Sequence, residues 1–310
     1  MELAKRLANG DVRALSRAIR MVEDGDPGAE QLLRELGSGP RRSHVSGLTG
    51  PPGSGKSTLC DDLIAIWRQR GQRVSIVAVD PSSPFSGGAI LGDRVRMQDH
   101  ALDRDVFIRS MAARGHLGGL ASATRHALRL IDAAGYDQCL VETVGVGQSE
   151  LEVMRLVDTT VVVTTPVSGD GVQMIKAGIL EIADIFVVNK GDLPGTLSVV
   201  KGLREVARNS PNHSHWEPPV LVTTATSASG VVELADAIDR HQKLLAETAM
   251  GEDRSRQRWL GDLEAIVVDK ALEQARKAFA RLDLSGDSMY KQDPYTLAEE
   301  ILSGRLTEVH

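Results

Sequence analysis

The stretch Gly50-Pro51-Pro52-Gly53-Ser54-Gly55-Lys56-Ser57 decides how the rest of this chain is read. It satisfies the pattern GxxxxGK[ST] at every constrained position. It follows the apolar run His44–Thr49 and precedes the amphipathic stretch Thr58–Arg70, so a strand leads into a loop and the loop into a helix. Glycines in that place let backbone N–H groups curl around a β-phosphate, at a helix N-terminus that already favours anions. Lys56 is placed to reach the β- and γ-phosphates, and the Ser57 hydroxyl to ligate Mg²⁺. Gly50, Gly53, Ser54, Gly55, Lys56, Ser57 and Thr58 are therefore the candidate phosphate-loop residues.

Outward from this loop, short β-branched runs alternate with longer amphipathic stretches. The runs are His44–Thr49, Arg73–Val79, Val106–Met111, Gln138–Thr143, Thr159–Thr165, Ile185–Asn189 and Val220–Ala225. Several are apolar without alternation, as strands covered on both faces must be. Strand, helix, strand in succession predicts right-handed crossovers and an α/β fold. The expected architecture is a P-loop NTPase with a mostly parallel central sheet of about seven strands flanked by helices.

Both ends of the chain read as helical. Leu3, Leu7, Leu15, Ile19 and Val22 recur at helical spacing, and Pro27 opens a second segment. After Gly251 no strand signal survives; Trp259, Leu263, Ile266, Val267, Leu272 and Phe279 mark one long helix. Asp293-Pro294 starts a short last one, with Asp as cap and Pro in the first turn. The expected domains are a helical segment over 1–40, a nucleotide-binding domain over 41–248 and a helical extension over 249–310.

Composition narrows the class of protein. With 36 basic and 42 acidic residues the net charge is −6, which argues against nucleic acid or an anionic membrane as the main partner. Two cysteines, Cys60 and Cys139, without a CxxC pair exclude a disulfide framework and suit a reducing cytoplasm. No run of about 18 apolar residues is present, so no membrane span is expected.

A second motif, Asn189-Lys190-Gly191-Asp192, ends the run Ile185–Val188. An Asp carboxylate can accept from guanine N1–H and the exocyclic amine together. Adenine offers neither donor, so such a site rejects it strongly. The metal region is read from three carboxylates. Asp80 ends a strand, Asp93 closes the Gly/Ser/Pro-rich segment Pro81 to Asp93, and Glu142 ends the fourth strand. Asp80 and Asp93 can hold Mg²⁺ directly or through water, since this ion keeps several waters and takes few carboxylates. Asp93 can equally pair with Arg94 or Arg96. Glu142 stands where many GTPases have the Asp of DxxG, and either holds a metal-bound water or orients the attacking one. The candidate catalytic residues are Lys56, Asp80 and Glu142, and the candidate metal ligands Ser57, Asp80, Asp93 and Glu142.

Taken together, GPPGSGKST, VAVDPSSPFSGGAILGDRVRM, ETVGVGQSE, PVSGDGVQMIKAGI and NKGD resemble the MeaB/ArgK family of GTPases. The long stretch from Val77 to Met97 is the most specific of these. The resemblance implies GTP hydrolysis in the service of an adenosylcobalamin-dependent acyl-CoA mutase: gating cofactor loading and expelling damaged cobalamin. It implies Asn189, Lys190 and Asp192 at guanine, and a backbone contact from Ala225 to guanine O6, although Thr224-Ala225 here replaces the usual Ser-Ala. It implies that Ser168 to Gly178, with Gln173 and Lys176, forms a partner-coupling loop. It further implies a homodimer made through the C-terminal region. The cobalamin motif DxHxxG does not occur in this sequence, so the corrinoid is expected on the partner.

Two other classes stay open on the sequence. A metallochaperone GTPase would carry His- or Cys-rich tracts; here His213 and His215 alone are close, in a Pro-rich stretch. A P-loop kinase would prefer ATP, which NKGD argues against.

Overall fold

The computed structural model describes residues 2–37, 41–80, 100, 102–112, 119–143, 148–166, 179–208, 216–280 and 293–302. By contact the chain forms two compact units, Met1–Arg258 and Trp259–His310. The first ends beyond the boundary expected at 248 and also takes in the N-terminal helices.

In the first unit, seven parallel strands form one sheet among the described residues. They are β1 (His44–Thr49), β2 (Val74–Asp80), β3 (Val106–Ala112), β4 (Gln138–Thr143), β5 (Thr159–Thr164), β6 (Ile185–Val188) and β7 (Val220–Val222). The spatial order is β3-β2-β4-β1-β5-β6-β7. β1 therefore lies between β4 and β5, where the chain stops building one side of the sheet and starts the other. In open α/β sheets ligands bind beyond the carboxyl ends of the strands at such a reversal.

Both faces are covered, which explains the unalternating apolar strands. On one face, α4 (Lys56–Gln69) and α8 (Val231–Glu247) bury Leu59, Leu63, Trp67, Leu234 and Ile238 against Leu48, Ile76 and Val161. On the other, α5 (Gly119–Ala133) and α6 (Gln148–Met154) pack on Val45, Val77 and Val141. The N-terminal helices α1 (Glu2–Ala8), α2 (Val12–Glu23) and α3 (Pro27–Glu35) add Leu7, Leu15, Ile19, Leu32 and Leu33 to that same core. Asp11 caps α2 by accepting from the Arg13 and Ala14 amides at 2.9 and 3.1 Å; Asp26 caps α3, with Pro27 at its start. Glu23, buried, pairs with Arg109 of β3. A further helix, α7 (Thr196–Arg208), lies between β6 and β7 in the chain.

One expected strand is shorter. The run Val220–Ala225 holds strand geometry only to Val222. Thr224 bridges Ser229 in antiparallel fashion and Ala225–Ser227 coil into a 3₁₀ turn, so the chain folds back before α8 begins.

The last long helix, α9 (Ala249–Phe279), starts in the first unit and continues into the second, and no residue along it is buried. In the second unit, α9 exposes Trp259 at 57%, Leu263 at 44% and Val267 at 57%. The short helix α10 (Pro294–Leu302) is capped as expected by Asp293, which accepts from the Thr296 amide and hydroxyl, each at 2.9 Å. No helix among the described residues is long and apolar enough to cross a membrane.

Candidate active site

The loop after β1 closes on itself. Gly50 has φ +141°, and a Cβ there would lie 2.0 Å from the Val163 carbonyl oxygen of β5. Gly55 has φ +92° and opens α4 without a side-chain cap, at a helix N-terminus of the kind that favours anions. A Cβ on Gly55 would lie 2.2 Å from Asn189 Nδ2. Both positions thus need glycine for its backbone freedom and for the close approach it permits. Lys56 is 5% exposed, and its ammonium donates to the carbonyls of Gly50 at 2.7 Å and Pro51 at 3.1 Å. Its charge is held inside the loop's own curl, the place the motif assigns to phosphates. Gly53 sits at the exposed crest with φ +73°, Ser54 is buried and Thr58 exposed.

The metal-ligand candidates converge in part. Ser57 Oγ donates to Glu142 Oε1 at 2.5 Å, so the first turn of α4 meets the end of β4. A hydroxyl and a carboxylate beside a phosphate loop are hard oxygen donors of the kind Mg²⁺ takes, and this pair fits the ion. Asp80 ends β2, one residue past the Val79–Thr143 pairing, so its backbone reaches the same edge as Glu142. The side chain of Asp80 lies outside the described residues, as do Asp93, Gln173 and Lys176.

The base-site candidates sit beyond β6 and β7. Asn189 is 2% exposed and ties three segments together. Its Nδ2 donates to the Ser54 carbonyl at 2.8 Å. Its Oδ1 accepts from Thr223 Oγ1 at 3.1 Å and from the Ala225 amide at 3.2 Å. Lys190 is exposed with φ +57°, Gly191 donates its amide to the Thr223 carbonyl at 2.9 Å, and Asp192 is exposed. The amide expected to reach guanine O6, that of Ala225, is engaged with Asn189, so a base carbonyl there would share the donor. Thr223 escaped the sequence reading. Its one signal was a hydroxyl residue two places before Ala225, which carries no chemistry until Asn189 is brought beside it.

An all-parallel sheet that joins a phosphate loop, through one buried amide side chain, to a loop ending in an exposed carboxylate describes the P-loop GTPases. This chain is a GTPase of that class. The sequence family described as "Methylmalonyl Co-A mutase-associated GTPase MeaB" matches residues 15–280, and the chain belongs to it. It is similar to a putative GTPase of Pyrococcus horikoshii, 43% identical over 308 residues, covering 97% of this chain and 96% of that one. It is 36% identical to the GTPase ArgK of Escherichia coli over 313 residues, with 98% and 93% covered. A mouse protein named methylmalonic aciduria type A homolog, mitochondrial, is 39% identical over 246 residues, with 76% and 58% covered. Among solved structures, one described as a LAO/AO transport system kinase superposes with a TM-score of 0.73 at 26% identity, covering 99% of this chain and 97% of that one.

Proposed function

We propose that this GTPase assists an adenosylcobalamin-dependent acyl-CoA mutase in the cytoplasm, using GTP hydrolysis to time cofactor loading, protection and reactivation. The observation that carries the reading is the family match: from residue 15 to 280 the chain belongs to GTPases described as mutase-associated.

In this reading Gly50 to Thr58 cradle the phosphates and Lys56 neutralises charge on the β- and γ-phosphates. Ser57 and Glu142 hold Mg²⁺, together with Asp80 and Asp93. Bound there, the ion shields the phosphate charge against which a nucleophile must approach. Glu142 positions water, either in the ion's shell or as the attacking group. Asp192 reads guanine, Lys190 flanks it, and Asn189 holds the base loop against the phosphate loop. No arginine or glutamine is placed by motif beside the γ-phosphate, and GTPases lacking such a group gain about 10³–10⁵ in rate when one is supplied. Gln173 and Lys176 are the side chains through which the mutase acts.

Residues 249–310 serve as a dimerisation extension. The apolar side chains exposed along α9 from Trp259 support this, since an unpacked stripe of that length favours a second copy.

The test is capture from the native source, followed by reconstitution. An acyl-CoA mutase should co-purify and raise GTP turnover. Gln173→Ala with Lys176→Ala should abolish the stimulation and spare basal turnover. A chain that no acyl-CoA mutase stimulates would overturn the proposal.

A further inference from the structure

At the end of the sheet opposite the phosphate loop lies a buried polar joint. Asp158 precedes β5 and Asp184 precedes β6, and both carboxylates are buried. Asp158 accepts from the Val45 amide at 2.8 Å, and Asp184 from the Thr160 amide at 2.8 Å, so each ties the start of its strand to the neighbour. Two arginines from the first turns of α9 neutralise them. Arg254 donates to Asp184 Oδ1 at 2.6 Å and Oδ2 at 3.0 Å, and to the Asp158 carbonyl at 2.7 Å. Arg258 pairs with the Asp158 carboxylate. Around them, the Trp216 indole donates to the Asp184 carbonyl at 2.7 Å and packs on His241. The Thr159 hydroxyl bridges His241 Nδ1 and His44 Nε2 at 2.7 and 2.8 Å.

Two features make this more than a fastening. First, α9 has no fully buried residue along its length, and the side-chain contacts that fasten its root to the sheet are those of two charged residues, Arg254 and Arg258. An apolar joint stays shut; a charged one has a solvated alternative in water. Removing one arginine leaves a buried carboxylate uncompensated, and both arginines stand one turn apart on the same helix, so a displacement of that helix acts on both pairs. Second, β6 is four residues long and runs directly from Asp184 into Asn189. What grips the start of β6 is one short strand away from the loop assigned to guanine.

We propose that Arg254 and Arg258 form a latch by which the C-terminal helix governs nucleotide release. Engaged, the latch holds the starts of β5 and β6 and so steadies the base loop. Released by whatever draws on the helix beyond Arg258, it lets GDP leave faster. The proposal rests on the reading that Asn189 to Asp192 hold guanine.

The experiment follows a fluorescent GDP analogue as excess GDP chases it from the full chain. Arg254→Met with Arg258→Met should release it about tenfold faster, within the ordinary range of coupling between sites. Single-turnover hydrolysis of bound GTP should be unchanged. Glu23→Gln with Arg109→Met breaks a buried ion pair on the far edge strand and should lower the melting temperature without changing release. Release at the parental rate in the arginine variant, or equal acceleration in the control, overturns the latch. Should the methionine variant fail to fold, Arg254→Lys with Arg258→Lys keeps the charge but loses the two-pronged contact. It should still speed release, and a parental rate there overturns the proposal equally. Failure of the base reading is seen separately: Asp192→Asn would then leave the choice between GTP and XTP unaltered.

Discussion

Asn189 donates through Nδ2 to the carbonyl of Ser54 at 2.8 Å, joining residues 135 apart in the chain. The base loop and the phosphate loop are therefore one piece. Asn189→Ala would leave the Ser54 carbonyl, the Thr223 hydroxyl and the Ala225 amide without this partner in a buried setting. At about 1–3 kcal/mol for a buried group left unpaired, GDP affinity should fall by at least tenfold. Calorimetric titration with GDP checks it, and parental affinity would disconnect the two loops.

Asp192 is exposed beside this tie, free to meet a base from solvent. Asp192→Asn should weaken GTP binding by about 2 kcal/mol, because the guanine donors lose their charged acceptor. Xanthosine nucleotides should regain affinity, since their added carbonyl accepts from the new amide. Competition between GTP and XTP is the measurement; equal GTP affinity in variant and parent would remove Asp192 from the site.

Lys56 already lies in the curl of its loop, donating to Gly50 and Pro51. Lys56→Ala removes that positive charge, and turnover should fall by ~10² or more, as for other electrostatic stabilisers. Phosphate release from the purified variant reads this directly. Near-parental turnover would show that the ammonium does not act on the phosphates.

Acid should unfold the protein through its buried histidines. Burial pushes His44 down to about 3, helped by the positive charges of His241, Arg258 and Arg254. Burial likewise takes His241 down to about 4, against the pull of Asp184. Both folded values lie below the ordinary histidine value of about 6.5. The unfolded chain therefore binds the extra protons, and stability is full above about pH 6.5 and lost as pH falls toward the folded values. Urea midpoints should be flat from about pH 7 to 8 and drop between about pH 6 and 4. His241→Gln should make the acid limb shallower, and an unchanged slope would show that His241 does not contribute.

The place of truncation matters. A chain ended after Arg258 keeps both arginines on Asp158 and Asp184; one ended at 248 strips them from buried carboxylates. The longer form should melt near the parental temperature, and the shorter form at least about 5 °C lower, given a loss of ~3–5 kcal/mol per broken buried pair. If residues 259–310 make the proposed dimer contact, light scattering should find the parent dimeric and the longer form monomeric. A parental mass would place the dimer contact elsewhere.

Much of the fold was legible because its signals are local. β1 and β4 occupy the residues their runs predicted, His44–Thr49 and Gln138–Thr143, and every residue of both is buried, as strands covered on both faces are. The loop from Gly50 to Ser57 shows in sequence because phosphate binding by a backbone demands glycines at fixed spacing. The cap at Asp293 was readable for the same reason, its partner Thr296 being three residues away.

What sequence could not supply is the set of partnerships between distant polar residues. Asn189 read as a base contact, and only the folded chain turns its side chain onto Ser54, Thr223 and Ala225. In the sequence, nothing sets Arg254 and Arg258 apart from the other charges of the stretch after Gly251. The helix buries no residue fully, yet its first turns reach the starts of β5 and β6, where two buried carboxylates require compensation. A charge in sequence carries no mark of the dielectric it will meet. Patterns of apolar residues and glycines set the elements and the phosphate loop of this protein. Which ions lie buried was decided by tertiary packing, because burial alone turns a surface charge into an obligatory pair.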